Sequence, residues 1–190
     1  TNDYETYYRS GFKDKRGWET AHVDDGWGAP AGDDTPPDKK IWFVAYYNHW
    51  MWHKHLIPAM HALANAYTLS GDPRYAHKAA LMLHRIAEVY PAMDHAKQSR
   101  YGAMMAERGV AYEGKVVNHI WETSLAQSIA EAYDAVWETI DADVELQKQT
   151  GKTGQQIRAF IEVNALEDAI DAYFSGKIRR NFGMHQAGLV

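Results

Sequence analysis

The strongest constraint on this chain is a single helical stripe. Val117, Trp121, Leu125, Ile129, Tyr133, Val136 and Ile140 recur at three- and four-residue spacing, so one face of a helix over about 116–140 is apolar. A stripe of that length needs a partner face, and the chain supplies others. Phe43, Tyr46, Trp50, Ile57, Met60, Ala64 and Tyr67 mark helical structure from Ile41 onward, with Pro58 predicting a kink or a new helix start. Ser70-Gly71-Asp72-Pro73 reads as a stop followed by a start, Gly serving as C-cap and Pro opening the next helix. That next helix spans about 73–90 on Ala79, Met82, Leu83, Ile86 and Tyr90, and Pro91 ends it.

The remaining stretches are read in the same way. A short helix is predicted near 92–105 and a polar loop over 141–153. A last long helix over about 154–174 carries Ile157, Phe160, Ile161, Leu166, Ile170 and Phe174, closed by Ser175-Gly176. No run alternates with period two, so the expected class is all-α, with long helices joined by short turns as in helical hairpins. Residues 1–40 differ: glycines, Pro36-Pro37 and paired aspartates punctuate them, while Tyr4, Tyr7, Tyr8, Phe12, Trp18 and Trp27 give them something to pack. They are expected to form an irregular N-terminal arm with a short helix near 3–10.

Composition narrows the function classes. A chain of 190 residues fits one domain, and 46% hydrophobic with 24% charged residues is ordinary globular usage. No 18-residue apolar run exists, so no membrane span is expected. A formal charge of −5 argues against a general nucleic-acid partner. The absence of cysteine excludes disulfides, thiolate zinc sites and a cysteine nucleophile. Seven Trp and twelve Tyr are many for a small core; they fit core packing, and they also fit rings that stack on sugars. The first residue is Thr1 rather than Met, as expected for a mature or trimmed product.

Three clusters carry candidate chemistry. Tyr47, Asn48, His49 and Trp52 lie in the segment 46–55, where His49 and His53 share a helix face. That spacing suits a metal, but no HExxH motif or third ligand accompanies it, and no metal is expected. The segment reads either as packed or exposed helix or as the wall of a polar-aromatic cleft. Asn118, His119, Trp121 and Glu122 form the second cluster, either the first turn of a helix with an exposed acid or the lip of a cleft. The third, Arg179-Arg180-Asn181-Phe182-Gly183-Met184-His185-Gln186, is an interhelical turn or a site where arginines and helix-start N–H groups hold an anion.

Three segments in order are similar to a known family: Ala62-Leu63-Ala64-Asn65-Ala66-Tyr67-Thr68-Leu69-Ser70-Gly71-Asp72-Pro73-Arg74-Tyr75-Ala76; Trp121-Glu122-Thr123-Ser124-Leu125-Ala126 with Ala132-Tyr133-Asp134; and Asn181-Phe182-Gly183-Met184-His185-Gln186-Ala187-Gly188. Together they resemble the N-terminal helical domain of the heparinase II/III-like polysaccharide lyases, whose relatives include oligoalginate lyases. The resemblance covers most of 40–190. It implies an incomplete (α/α) toroid of helical hairpins over 41–190 and β-elimination at a uronic acid of an anionic polysaccharide. It implies no cofactor, and a secreted or periplasmic setting.

By the same resemblance, Asn181 falls at the carboxylate-neutralising position, His185 at a base or neutraliser position, and Gln186 at a supporting contact. Tyr47, Asn48, His49, Trp52, Asn118, His119, Trp121, Glu122 and Arg180 would bind substrate. Such enzymes continue with further helices, a catalytic Tyr and a β-sandwich. The chain is therefore expected to be an N-terminal portion whose exposed helices are covered by the rest of the enzyme or by a second chain. The rival expectations are an α/α-barrel glycoside hydrolase, which needs two carboxylates such as Glu122 with Asp24 or Asp25, and a non-catalytic carbohydrate-binding helical protein.

Overall fold

A computed structural model describes residues 29–30, 40–41, 51–93, 114–116 and 121–175. Among these residues the regular structure is helical, apart from one minimal ladder. β1 (Ala29–Pro30) pairs antiparallel with β2 (Lys40–Ile41), Ala29 opposite Ile41 and Pro30 opposite Lys40. Two residues are too few to show an alternation. Ile41, expected to begin helical structure, is instead a strand residue. The segments expected to form helices near 3–10 and 92–105 lie outside the described residues, except that Ala92 ends a 3₁₀ turn.

Pro58 has a clear effect. A π turn, Trp52–Leu56, runs into α1 (Ile57–Ser70), and the Ile57 N–H donates to the Trp52 carbonyl five residues back. Proline lacks an N–H and crowds the carbonyl four residues before it; the wider turn just ahead of Pro58 accommodates that misfit without breaking the helix. α1 ends at Gly71, whose φ of 68° permits the N–H to reach the Tyr67 carbonyl at 2.7 Å. Asp72 then caps α2 (Pro73–Val89), its carboxylate accepting from the Arg74 N–H at 3.0 Å. A link this short makes α1 and α2 antiparallel neighbours. Pro91 closes α2 through a 3₁₀ turn, Tyr90–Ala92.

α3 (Trp121–Val136) continues into a 3₁₀ turn, Trp137–Thr139, and packs on both α1 and α2. The expected polar loop over 141–153 is corrected: it holds a helix, α4 (Val144–Thr150). Asp143 caps it by accepting from the Leu146 N–H at 2.9 Å, Gly151 ends it at φ 67°, and Leu146 is completely buried. One buried leucine between two good caps suffices for a helix whose other residues are polar, apart from the exposed Val144.

α5 (Gly154–Ile161), a π turn (Glu162–Glu167) and α6 (Asp168–Phe174) together form the predicted last helix. Thr153 opens it with a capping box, its hydroxyl accepting from the Gln156 N–H while Gln156 Oε1 accepts from the Thr153 N–H.

The core lies where α1, α2, α3 and α5 meet. Met60, Leu83, Ile86, Tyr90, Ile129, Ile140, Leu146, Ile157 and Ile161 are fully buried. Within the described residues the predicted stripes of the first three helices are buried or half-buried; Phe43, Tyr46, Trp50 and Val117, and the side chain of Trp121, lie outside them. The last stripe is not: Ile170 and Phe174 are 44% and 68% exposed, while Ala165, Ala169 and Ala172 are buried. Burial follows the 3.6-residue phase set by Ile157 and Ile161 rather than side-chain size, and alanines on that phase let the helix approach its neighbours closely.

Candidate functional site

The most concentrated chemistry among the described residues is a buried polar network at the junction of α2, α3 and α6. Tyr90 stands at the end of α2 and Glu122 in the first turn of α3; both are 0% exposed. The Tyr90 hydroxyl donates to Glu122 Oε1 at 2.9 Å. Glu122 Oε2 accepts from the Val116 N–H at 3.0 Å and the Lys115 N–H at 3.3 Å. A carboxylate here is favoured twice, by three donors and by the positive end of the helix dipole.

Lys115 is also buried, at 2% exposure. Its ammonium pairs with Asp168 at the start of α6 and sits 4.4 Å from the centre of the Tyr90 ring. The alternation of Glu122, Tyr90, Lys115 and Asp168 places opposite charges around one aromatic ring. Burial, then the Glu122 charge and its hydrogen bond, push the Tyr90 hydroxyl well above the ordinary tyrosine range. The hydroxyl is therefore a donor at every physiological pH. The network ties residues 115–116 to the first turn of α3, immediately before the sequence segment that carries Asn118 and His119.

For Glu122 the expectation of exposure is corrected. It is neither an exposed acid nor a solvent-facing lip, because the Tyr90 hydroxyl and two backbone N–H groups take it inward. Trp52 lies in the π turn before α1, half-buried against the core. Trp121 opens α3, and His53 lies in the π turn, but their side chains are outside the described set. Tyr47, Asn48, His49, Asn118, His119, Arg180, Asn181, His185 and Gln186 also lie outside the described residues. Among the described residues no three His, Asp or Glu side chains converge as metal ligands would, and no helix is long and apolar enough to cross a membrane.

Sequence reasoning missed the partners of Glu122. Tyr90 was legible as a core position, and a buried tyrosine hydroxyl calls for an acceptor. Nothing local pointed from it to a glutamate 32 residues away, or from Lys115 to Asp168.

Histidines tie other helices together. His61 of α1 meets Glu131 of α3 at 3.2 Å. His77 of α2 donates from Nδ1 to Asp143 Oδ2 at 2.8 Å, so Asp143 both caps α4 and anchors it to α2.

No protein-family model, curated protein or solved structure matches the chain.

Proposed function

We propose that the chain is the helical portion of a polysaccharide lyase that cleaves a uronic-acid-containing polysaccharide by β-elimination, built on an (α/α) toroid. The observation that carries this reading is the placement of two of the three lyase-like segments. Residues 62–76 form a helix, a two-residue turn and a helix, and α1 of that hairpin packs directly on α3, which carries Trp121–Ala126. Successive hairpins packed side by side are the repeating unit of a toroid.

The chemistry follows from the third segment. The proton on C5 of a uronate is weakly acidic while the neighbouring carboxylate keeps its full charge. Asn181, with Arg180 beside it in sequence, would mask that charge through N–H donors. Neutral His185 would take the C5 proton, and Gln186 would support the bound carboxylate. The electron pair then forms the C4–C5 double bond and expels the glycosidic oxygen, which a tyrosine from the remainder of the enzyme would protonate. Tyr47, Asn48, His49, Trp52, Asn118, His119 and Trp121 would line the cleft, with Glu122 holding residues 115–116 from within. The setting would be secreted or periplasmic. The exposed apolar residues Val163, Ile170 and Phe174 would be covered by the rest of the enzyme or by a second chain.

The deciding experiment incubates the natural protein with alginate, heparan-type, hyaluronan-type and ulvan-type chains and follows ultraviolet absorbance of the unsaturated uronate. Absorbance should rise with at least one polymer and vanish in Asn181→Ala and His185→Ala. Saturated reducing ends without that absorbance would mean hydrolysis, and binding without cleavage would mean a carbohydrate-binding protein. Either result overturns the lyase reading.

A further inference from the structure

We propose that His84 is an acid-sensitive latch between α2 and α5: neutral, it packs as an aromatic slab, and protonated, it forces the two helices apart. Its position is unusual for a titratable group. His84 is 5% exposed in the middle of α2, and its ring stacks on Phe160 of α5 with centroids 5.0 Å apart and planes 29° from parallel. Among the described residues Nε2 has no hydrogen-bond partner. Nδ1 stands 3.7 Å from Glu88 Oε1, beyond hydrogen-bond reach.

The Phe160 ring carries a second charge-sensitive neighbour. Lys152, in the turn between α4 and α5, places its ammonium 4.8 Å from the Phe160 centroid. A protonated His84 would put another cation against the same ring and leave an N–H⁺ buried without an acceptor.

The surrounding charges do not offset this. On α2, Glu88 favours a charged His84 and Arg85 opposes it, and Glu88 Oε2 is itself held by Arg85 at 2.7 Å. From the other packed elements, Asp141 pairs with Arg158, Asp143 with His77, Asp168 with Lys115, and Glu162 with the Tyr133 hydroxyl. Burial first, and the Lys152 charge second, hold the imidazole below the ordinary histidine range. The sign follows directly. The opened form binds the proton more tightly than the closed one, so the contact is at full strength above the ordinary histidine value. It weakens as pH falls from there toward the lowered value, and levels off below it.

The test is amide hydrogen exchange on the full chain at about pH 7.5 and about pH 5, expressed as protection factors so that the intrinsic pH dependence of exchange cancels. Protection of the α5 amides of Ile157, Phe160 and Ile161 should fall roughly tenfold for each unit by which the His84 titration is displaced. In His84→Phe, which keeps a stacked ring without a titrating group, that loss should disappear. Equal acid sensitivity in wild type and His84→Phe would overturn the latch. Should the variant fail to fold, the imidazole resonances of His84 in the wild-type protein decide the matter: titration below the free-histidine range supports the latch, and titration at or above that range overturns it.

Discussion

Tyr90 and Glu122 meet in the core, hydroxyl to carboxylate at 2.9 Å, both with no exposed surface. The pair joins the end of α2 to the start of α3. Tyr90→Phe keeps the ring, and with it the seat for the Lys115 ammonium, but removes one of the donors that hold the Glu122 charge. A hydrogen bond to a charged group contributes about 1.5–3 kcal/mol, so the variant should lose stability in that range. Glu122→Ala should lose more, because it removes at once the acceptor of the Lys115 N–H, the Val116 N–H and the Tyr90 hydroxyl. Urea unfolding with an unchanged m-value would report both; a neutral Tyr90→Phe would show that the bond does not matter to the fold.

Asp143 serves two helices with one carboxylate, Oδ1 on the Leu146 N–H and Oδ2 on His77. Its two roles are separable. Asparagine retains an oxygen for the cap and loses the charge offered to His77, whereas alanine loses both. Asp143→Ala should therefore be less stable than Asp143→Asn by about 1 kcal/mol, the usual contribution of an N-cap. Adding His77→Ala to each variant and closing the double-mutant cycle isolates the helix–helix part.

The helices were legible because their signals are local. Gly71, Asp72 and Pro73 dictate the α1–α2 turn within three residues, and the stripes through Leu83, Ile86, Ile129 and Val136 are buried as their spacing demands. α4 escaped notice because six of its seven residues leave the core to Leu146 alone, and its caps were hidden in a polar run. The polar network was illegible for a different reason. Whether Glu122 faces water or Tyr90 depends on how α2 and α3 are set against each other, and no spacing along the chain encodes that. Ile170 and Phe174 misled because apolar character predicts burial only when a partner surface lies on the same side.

Alkaline stability should report two tyrosines. Tyr90 donates to Glu122, and Tyr133 donates to Glu162 Oε1 at 2.6 Å. In each case burial leads, and the adjacent carboxylate adds to it, in raising the hydroxyl above the ordinary tyrosine range. A raised value means that the folded state keeps a proton which the unfolded state gives up. Their contribution is complete below the unfolded tyrosine value and is lost as pH climbs above it. Stability measured against pH should decline in that range, and Tyr90→Phe with Tyr133→Phe should flatten the decline. Spectrophotometric titration of the native protein should leave these two hydroxyls un-ionised after exposed tyrosines have titrated.

Gly154 gives a prediction that runs against the usual rule. Replacing a helical glycine with alanine ordinarily stabilises by about 0.5–1 kcal/mol, because the unfolded chain loses freedom. Gly154 is buried at the first position of α5, and a Cβ there would stand 2.6 Å from the Asp141 Cα and 3.0 Å from the Ile140 carbonyl oxygen. Both contacts are backbone, so neither can swing aside. The α5 start would have to withdraw from the segment leading into α4, straining the Arg158–Asp141 pair that spans the same gap. Gly154→Ala should thus destabilise by about 1–3 kcal/mol, as overpacking does. Gly71→Ala meets open space and suffers only from its left-handed φ of 68°, about 1 kcal/mol. Thermal unfolding of the two variants side by side would test the close approach: a Gly154→Ala protein as stable as wild type would mean that α5 does not sit against Asp141.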